Sequence, residues 1–210
     1  MARIKHGQLE GLTGKLGSMV KYKWKGRDCV RAWVVPKDPK TPAQLDSRKI
    51  FGKASSLGAA LHQAIRIGFR GIAAEQSTTE KNVFVRLNRQ HISIVDDEAI
   101  VDYTQLQVAD GPLAAVDFGE PSTADGRTIR VAFSNTAKAN RLNYVMLVAY
   151  LPEKRNCMLS EPVFRSAGEA EINLPESWAG CTSHIYGFCW DGKDAVSPSS
   201  YIGIVNNTSD

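Results

Sequence analysis

The chain has 210 residues, 43% of them hydrophobic and 23% charged, with a formal net charge of +4. That length suits one large domain or two small ones at roughly 100–200 residues each, and so ordinary a composition excludes wholesale disorder, collagen and a disulfide-dense miniprotein. Its apolar runs fall well short of the ~18 residues of a membrane span, and Met1-Ala2-Arg3-Ile4-Lys5-His6-Gly7 contains no apolar core of a secretory signal, so the expectation is a cytoplasmic product released, if at all, within an assembly.

The net charge conceals an asymmetry. Residues 1–90 hold 18 Lys and Arg against 6 Asp and Glu, a balance of +12; residues 91–210 hold 8 against 16, a balance of −8. A basic half of this kind can meet nucleic acid, an acidic partner protein, or the acidic half of another copy.

In chain order, Gly7, Gly11, Gly14 and Gly17 dominate the first 18 residues. Glycine weakens regular structure, so this stretch reads as an extended arm. Ile4, Leu9, Leu12 and Leu16 are its spaced apolar anchors for a groove on another subunit. Next, Lys21, Lys23 and Lys25 alternate with Val20, Tyr22 and Trp24. That is the period of a strand with one basic and one apolar face. Lys25-Gly26-Arg27-Asp28 is turn-like and apolar residues resume at Cys29, which predicts a β-hairpin. Pro36, Pro39 and Pro42 punctuate an extended linker.

Thr41-Pro42-Ala43-Gln44 is a helix start, with Thr41 as cap and Pro42 in the first turn. Ile50, Ala54, Leu57, Leu61, Ile65, Gly68 and Ile72 then step by threes and fours along one helix face. Gly52, Gly58, Gly68 and Gly71 lie within that run, each costing roughly 1 kcal/mol relative to Ala. The prediction is a kinked helix or two helices, with a further short helix over 79–90.

From residue 92 the period changes to two. Short strands are predicted at 91–95, 100–103 and 106–108. Seven more follow, at 114–118, 127–134, 143–150, 159–164, 169–174, 183–190 and 195–204, with turns between them. This is the pattern of an immunoglobulin-like or fibronectin-like sandwich over about 110–210. Such a sandwich is expected to fold without the N-terminal half. Leu174-Pro175, Trp178, Gly180 and Tyr186 suit a tyrosine corner, the Tyr186 hydroxyl bonding back to the connecting backbone. Trp178, Tyr186, Phe188 and Trp190 read as sandwich core and corner.

The chemistry-bearing residues are sparse. Cys29, Cys157, Cys181 and Cys189 form no CxxC pair, and Cys181 and Cys189 with His184 are too loosely spaced for a zinc site. Disulfides, metals and cofactors are not expected. Asp96-Asp97-Glu98 reads as a solvated turn. No GxSxG or dinucleotide fingerprint occurs, and Gly11-Leu12-Thr13-Gly14-Lys15 lacks the Ser or Thr of a phosphate loop. No nucleophile is paired with a base, so an enzyme is not expected. The partner-binding candidates are Lys21, Lys23, Lys25, Arg27 and Arg31 of the hairpin with Leu9, Leu12 and Leu16 of the arm. The hairpin cations could meet an acidic surface such as residues 96–102 of a second copy, or one on a different protein. Cations interleaved with Tyr22, Trp24 and Trp33 can also hold single-stranded nucleic acid, although alternation along one strand would point rings and ammonium groups to opposite sides.

Gly14-x-x-Gly17-Ser18-x-Val20, Trp24-Lys25-Gly26, Arg31, Lys40-Thr41-Pro42-Ala43-Gln44 and Val196-Ser197-Pro198-Ser199-Ser200-Tyr201-x-Gly203 resemble an uncharacterised family of about this length from Bacteroidota genomes and their phages. The resemblance covers nearly the whole chain. It implies a phage-associated, non-enzymatic protein and supplies no catalytic residue. The combined expectation is an α+β chain: a basic arm, hairpin and helical segment over 1–90, then an acidic strand region over 91–210 containing the sandwich. Its expected role is as a structural component of a virion or similar assembly (decoration, fibre-base or connector protein), docking through the basic arm. The alternatives are a nucleic-acid-binding module and an adhesion module binding carbohydrate or protein through the sandwich.

Overall fold

The computed structural model describes residues 2–3, 12–123, 125–134 and 142–207, and the chain divides into two compact units, residues 1–41 and 42–210. The first is an antiparallel sheet of β1 (Ala2–Arg3), β2 (Gly14–Leu16), β3 (Met19–Trp24) and β4 (Arg27–Ala32), in the order β1-β4-β3-β2. Lys25 and Gly26, at φ 47° and 74°, close the expected hairpin between β3 and β4. Two positive φ values give the turn whose twist matches the strands. Gly14–Leu16, expected to belong to an extended arm, is a strand instead. Gly17 adopts φ 61° and folds the chain back, so that Leu16 pairs Met19 and Gly14 pairs Lys21. Backbone pairing to the free edge of β3 outweighs the weak strand propensity of glycine. Leu12 is exposed and Leu16 half-buried, while Leu9 lies outside the described residues.

The second unit opens with α1 (Pro42–Ala60), α2 (His62–Gly68), α3 (Arg70–Glu75) and α4 (Glu80–Asn88). Hydrogen bonds Leu61 N–Leu57 O, Ile65 N–Leu61 O, Phe69 N–Ile65 O and Ala73 N–Phe69 O carry the i to i−4 ladder through both breaks. The first three helices are therefore the kinked run expected from the glycines. One of those glycines has a definite use: a Cβ on Gly68 would lie 2.1 Å from the Val108 carbonyl oxygen, so only glycine lets that chain cross the helix. Thr79 caps α4, its hydroxyl accepting from Asn82 N at 3.2 Å.

β5 (Ile92–Val95) and β6 (Glu98–Val101) form a hairpin turned by Asp96 and Asp97, both at positive φ. Residues 106–108, expected as a strand, are irregular. Their backbone groups bond to side chains, Gln107 N to Asn88 Oδ1 at 2.7 Å and Val108 N to Ser199 Oγ at 3.0 Å, while Leu106 and Val108 are buried.

The remaining strands are β7 (Asp117–Phe118), β8 (Ser122–Thr123), β9 (Thr128–Ser134), β10 (Tyr144–Leu151), β11 (Asn156–Leu159), β12 (Val163–Phe164), β13 (Glu169–Asn173), β14 (Thr182–Trp190) and β15 (Ser200–Asn206). They make two antiparallel sheets. One has the order β13-β9-β7 with β8 also on β9; the other has β11-β10-β14-β15 with β12 also on β10. This is the expected α+β fold with a sandwich of immunoglobulin or fibronectin type.

Among the described residues, one sheet of the sandwich is covered on both faces. Val145, Leu147, Ala149 and Leu151 of β10 share a core with Ile129, Val131, Trp178 and Ile185, between the sheets. Met146, Val148 and Tyr150, on the other face, share a second core with Leu57, Leu61, Ile65, Phe69 and Phe84 of the helices, and with Tyr186 and Phe188 of β14. The unit is thus three layers deep. Two expectations change in consequence. The division expected at residue 90 falls at 41/42, because the helices share a core with the second sheet. Tyr186 is no tyrosine corner: its side chain faces the helices, and its hydroxyl donates to Tyr103 O at 2.8 Å, outside the sandwich. Phe188 goes with it, and only Trp178 of the four aromatics lies in the inter-sheet core.

Candidate interaction face of the N-terminal sheet

Cross-strand partners in an antiparallel sheet point to the same side. The register places Trp24 opposite Arg27, Tyr22 opposite Cys29, Val20 opposite Arg31 and Lys15 opposite Val20. One face of the sheet therefore carries Lys15, Tyr22, Trp24, Arg27 and Arg31 together. Trp33 extends this row beyond β4, its N–H donating to Ser18 O at 2.8 Å. The Lys15 ammonium sits 3.5 Å from the centroid of the Trp33 ring, and Lys25 in the turn sits 5.2 Å from that of Trp24. Trp24 and Trp33 are 50% and 46% exposed, far more than aromatic side chains that serve a core.

The opposite face carries Lys21 and Lys23 with Asp28. Lys21, expected to be a docking cation, is buried at 1% exposure with its ammonium 3.8 Å from Asp28 Oδ2. Its ammonium is therefore covered and turned toward Asp28 rather than presented at the surface. Lys23 is exposed on that same side. Within β3 the rings and the ammonium groups of Lys21 and Lys23 point to opposite sides, as that strand's alternation predicts, yet the ring face still carries cations. The cations that meet Tyr22 and Trp24 come from neighbouring strands, Lys15 from β2 and Arg27 and Arg31 from β4. Lys15 was not among the expected contact residues, since its place beside Trp33 depends on the pairing of β2. Of the acidic residues proposed to meet the hairpin, Asp97 is engaged by Lys49 of the same chain.

In the second unit, Cys181, His184 and Cys189 do not converge. Cys189 lies in the inter-sheet core, whereas His184 is on the helix-facing side of β14, where it meets Tyr103 and Tyr201. The His184 ring stacks on Tyr103 at 4.4 Å between centroids, with Nδ1 3.1 Å from the Tyr201 hydroxyl. Burial lowers the His184 pKa below its ordinary value. The folded chain then binds this proton less readily than the unfolded chain, so stability is lost as pH falls below the unfolded value of about 6.5. His184→Phe keeps the stacking ring and removes the titrating group. Urea midpoints of the parent should decline between pH 7.5 and 5.5 more than those of the variant; equal declines would place the titration elsewhere.

A groove of about 680 Å³ opens along α1 and α4, where Arg48, Arg86 and Arg89 surround Phe51 and Val85. Phe51 is 62% exposed, and the Arg86 guanidinium is held by Gln76. The pattern was invisible in sequence because packing of α1 on α4 brings together arginines some forty positions apart.

Among solved structures, the fn3 domain of the human collagen alpha-1(XX) chain is similar: it is 14% identical, covers 49% of this chain and 87% of that domain, and superposes with a TM-score of 0.35. A search of curated proteins gave no match. Residues 11–203 match the model of a family of unknown function, DUF6266, and the chain belongs to that family.

Proposed function

We propose that the protein is a non-enzymatic structural component of a virion or similar multi-subunit assembly, held there by the ring-and-cation face of its N-terminal sheet. The observation that carries this reading is the convergence of Lys15, Arg27 and Arg31 with Trp24 and Trp33 on one exposed face. Residues that dominate binding at interfaces are enriched in tryptophan, which buries a large area, and arginine, whose rigid fork donates several hydrogen bonds. Two of the buried thiols are poorly suited to act as nucleophiles. Burial pushes the Cys157 and Cys189 pKa values up, which suppresses the thiolate that a nucleophile requires. The docking element differs from the expected arm: Lys25, Arg27 and Arg31 remain in it, Lys15 joins them, and Lys21 and Lys23 leave it.

The test is incorporation. Particles purified from cells that make the full-length chain should contain it. A K15E/R27E/R31E variant, whose substitutions are all at exposed positions, should fold as the parent does and be depleted at least tenfold. Incorporation equal to the parent's would remove this face from the assembly contact.

A further inference from the structure

We infer that the partner of this face is single-stranded nucleic acid, with bases stacking on Trp24, Tyr22 and Trp33 and phosphates meeting Lys15, Lys25, Arg27 and Arg31. The inference rests on the docking reading above and names the partner of the same surface.

Three observations carry it. The first is charge. Among the described residues whose register puts them on this face, there are cations and rings and no carboxylate; Asp28, the one acidic residue of β3 and β4, is on the other side. A protein partner with mixed charge would meet like-charge repulsion here, whereas a polyanion meets none. The second is interleaving. Along the face, the row of Trp24 and Arg27 is followed by Tyr22, then by Lys15 and Arg31 flanking Val20, then by Trp33. Trp33 pairs with Ser18, six residues from Trp24 along β3, so the rings span roughly 20 Å at ~3.3 Å per residue. Rings that alternate with cations over that length match a chain that alternates bases with phosphates. The third is access. Trp24 and Trp33, at the two ends of the row, are about half exposed, while Cys29 beside Tyr22 is covered. Bases in a duplex are already stacked on one another, so exposed rings select unpaired ones, as on other sheet platforms.

The experiment uses the full-length chain and a fluorescein-labelled oligothymidylate on the order of 16 nucleotides, read by anisotropy at several salt concentrations. The expected result is binding whose log affinity falls with log salt at a slope of roughly −3, from four cations at ~0.7 each. Trp24→Ala and Trp33→Ala should each weaken binding about fivefold or more, the lower end of one lost base stack. Arg27→Glu should weaken it and flatten the slope. Lys23→Glu, on the opposite face, should change it much less than Arg27→Glu. A duplex of equal length and polyglutamate, which lack free bases, should compete poorly. Circular dichroism of every variant checks that the sheet is retained.

The inference is overturned by no binding at low salt, by tryptophan variants that bind like the parent, by equal effects of Lys23→Glu and Arg27→Glu, or by duplex and polyglutamate competing as well as the single strand. Failure here is distinguishable from failure of the docking reading. If the oligonucleotide does not bind while K15E/R27E/R31E still loses incorporation, the face docks a protein and only the nucleic-acid inference falls.

Discussion

Residues 110–210 expressed alone will not reach a native sandwich. The fragment keeps every strand from β7 to β15, and on strand count alone it should fold. The helix-facing side of its larger sheet, however, carries Met146, Val148, Tyr150, Tyr186 and Phe188, all buried under helices that the fragment lacks. Leaving each of these exposed forfeits about 1.5–3 kcal/mol, so the five together forfeit roughly as much as the whole stability of a domain, about 5–15 kcal/mol. The Tyr186 hydroxyl also loses its acceptor at Tyr103. The expected outcome is an aggregating or dye-binding species with no cooperative urea transition. The 42–210 unit, which keeps both cores, should show one. A cooperative transition and dispersed amide resonances for 110–210 would show that the helical layer is dispensable.

The signal for that third layer was present in β10. Val145-Met146-Leu147-Val148-Ala149-Tyr150-Leu151 does not alternate, and an unbroken apolar strand is one buried on both faces. β9 shows the contrast: Ile129, Val131 and Phe133 are buried while Arg130, Ala132 and Ser134 between them are exposed, as a strand with one wet face requires. Reading both as ordinary sandwich strands gave the correct sheets and the wrong covering. The helix run was legible because its apolar spacing is local, and its kinks because glycine is a local signal too. The interaction face was legible only in part. Its tryptophans and arginines stand out in the sequence, but which of them share a side depends on the pairing of β2 with β3 and β3 with β4, a fact about register rather than composition. Lys21 shows the same limit: in a lone strand it alternates like Lys23, yet the assembled sheet buries it beside Asp28.

Asn88→Asp, a change of one atom, should destabilise the protein by about 3 kcal/mol or more at neutral pH. Asn88 is fully buried at the end of α4. Its Nδ2 donates to Phe84 O at 3.0 Å and to Gln107 O at 2.9 Å, and its Oδ1 accepts from Gln107 N at 2.7 Å. Two carbonyls and one N–H admit a single orientation of the amide, and every group in the cluster is satisfied. The cluster also fixes the chain at 107, which runs on past Gly68, where Asp110 N bonds to Gly68 O at 3.1 Å, and into the sandwich. An aspartate keeps the shape but turns the donating nitrogen into an oxygen facing two carbonyl oxygens, and it buries a charge with one donor to meet it. Its folded pKa must therefore rise above the unfolded value of about 3.9. The protonated acid recovers one donor, so the deficit is smallest at low pH and grows as pH rises through the window between the unfolded and folded values. Asn88→Ala leaves the same carbonyls unpaired without a charge, and its deficit should not change with pH. Urea unfolding of all three proteins at pH 4.5 and pH 7.5 separates these outcomes. An Asp variant within about 0.5 kcal/mol of the parent, the ordinary range for an inconsequential surface change, or one whose deficit matches that of Ala at both pH values, would mean that this amide does not hold the helical layer to the strands.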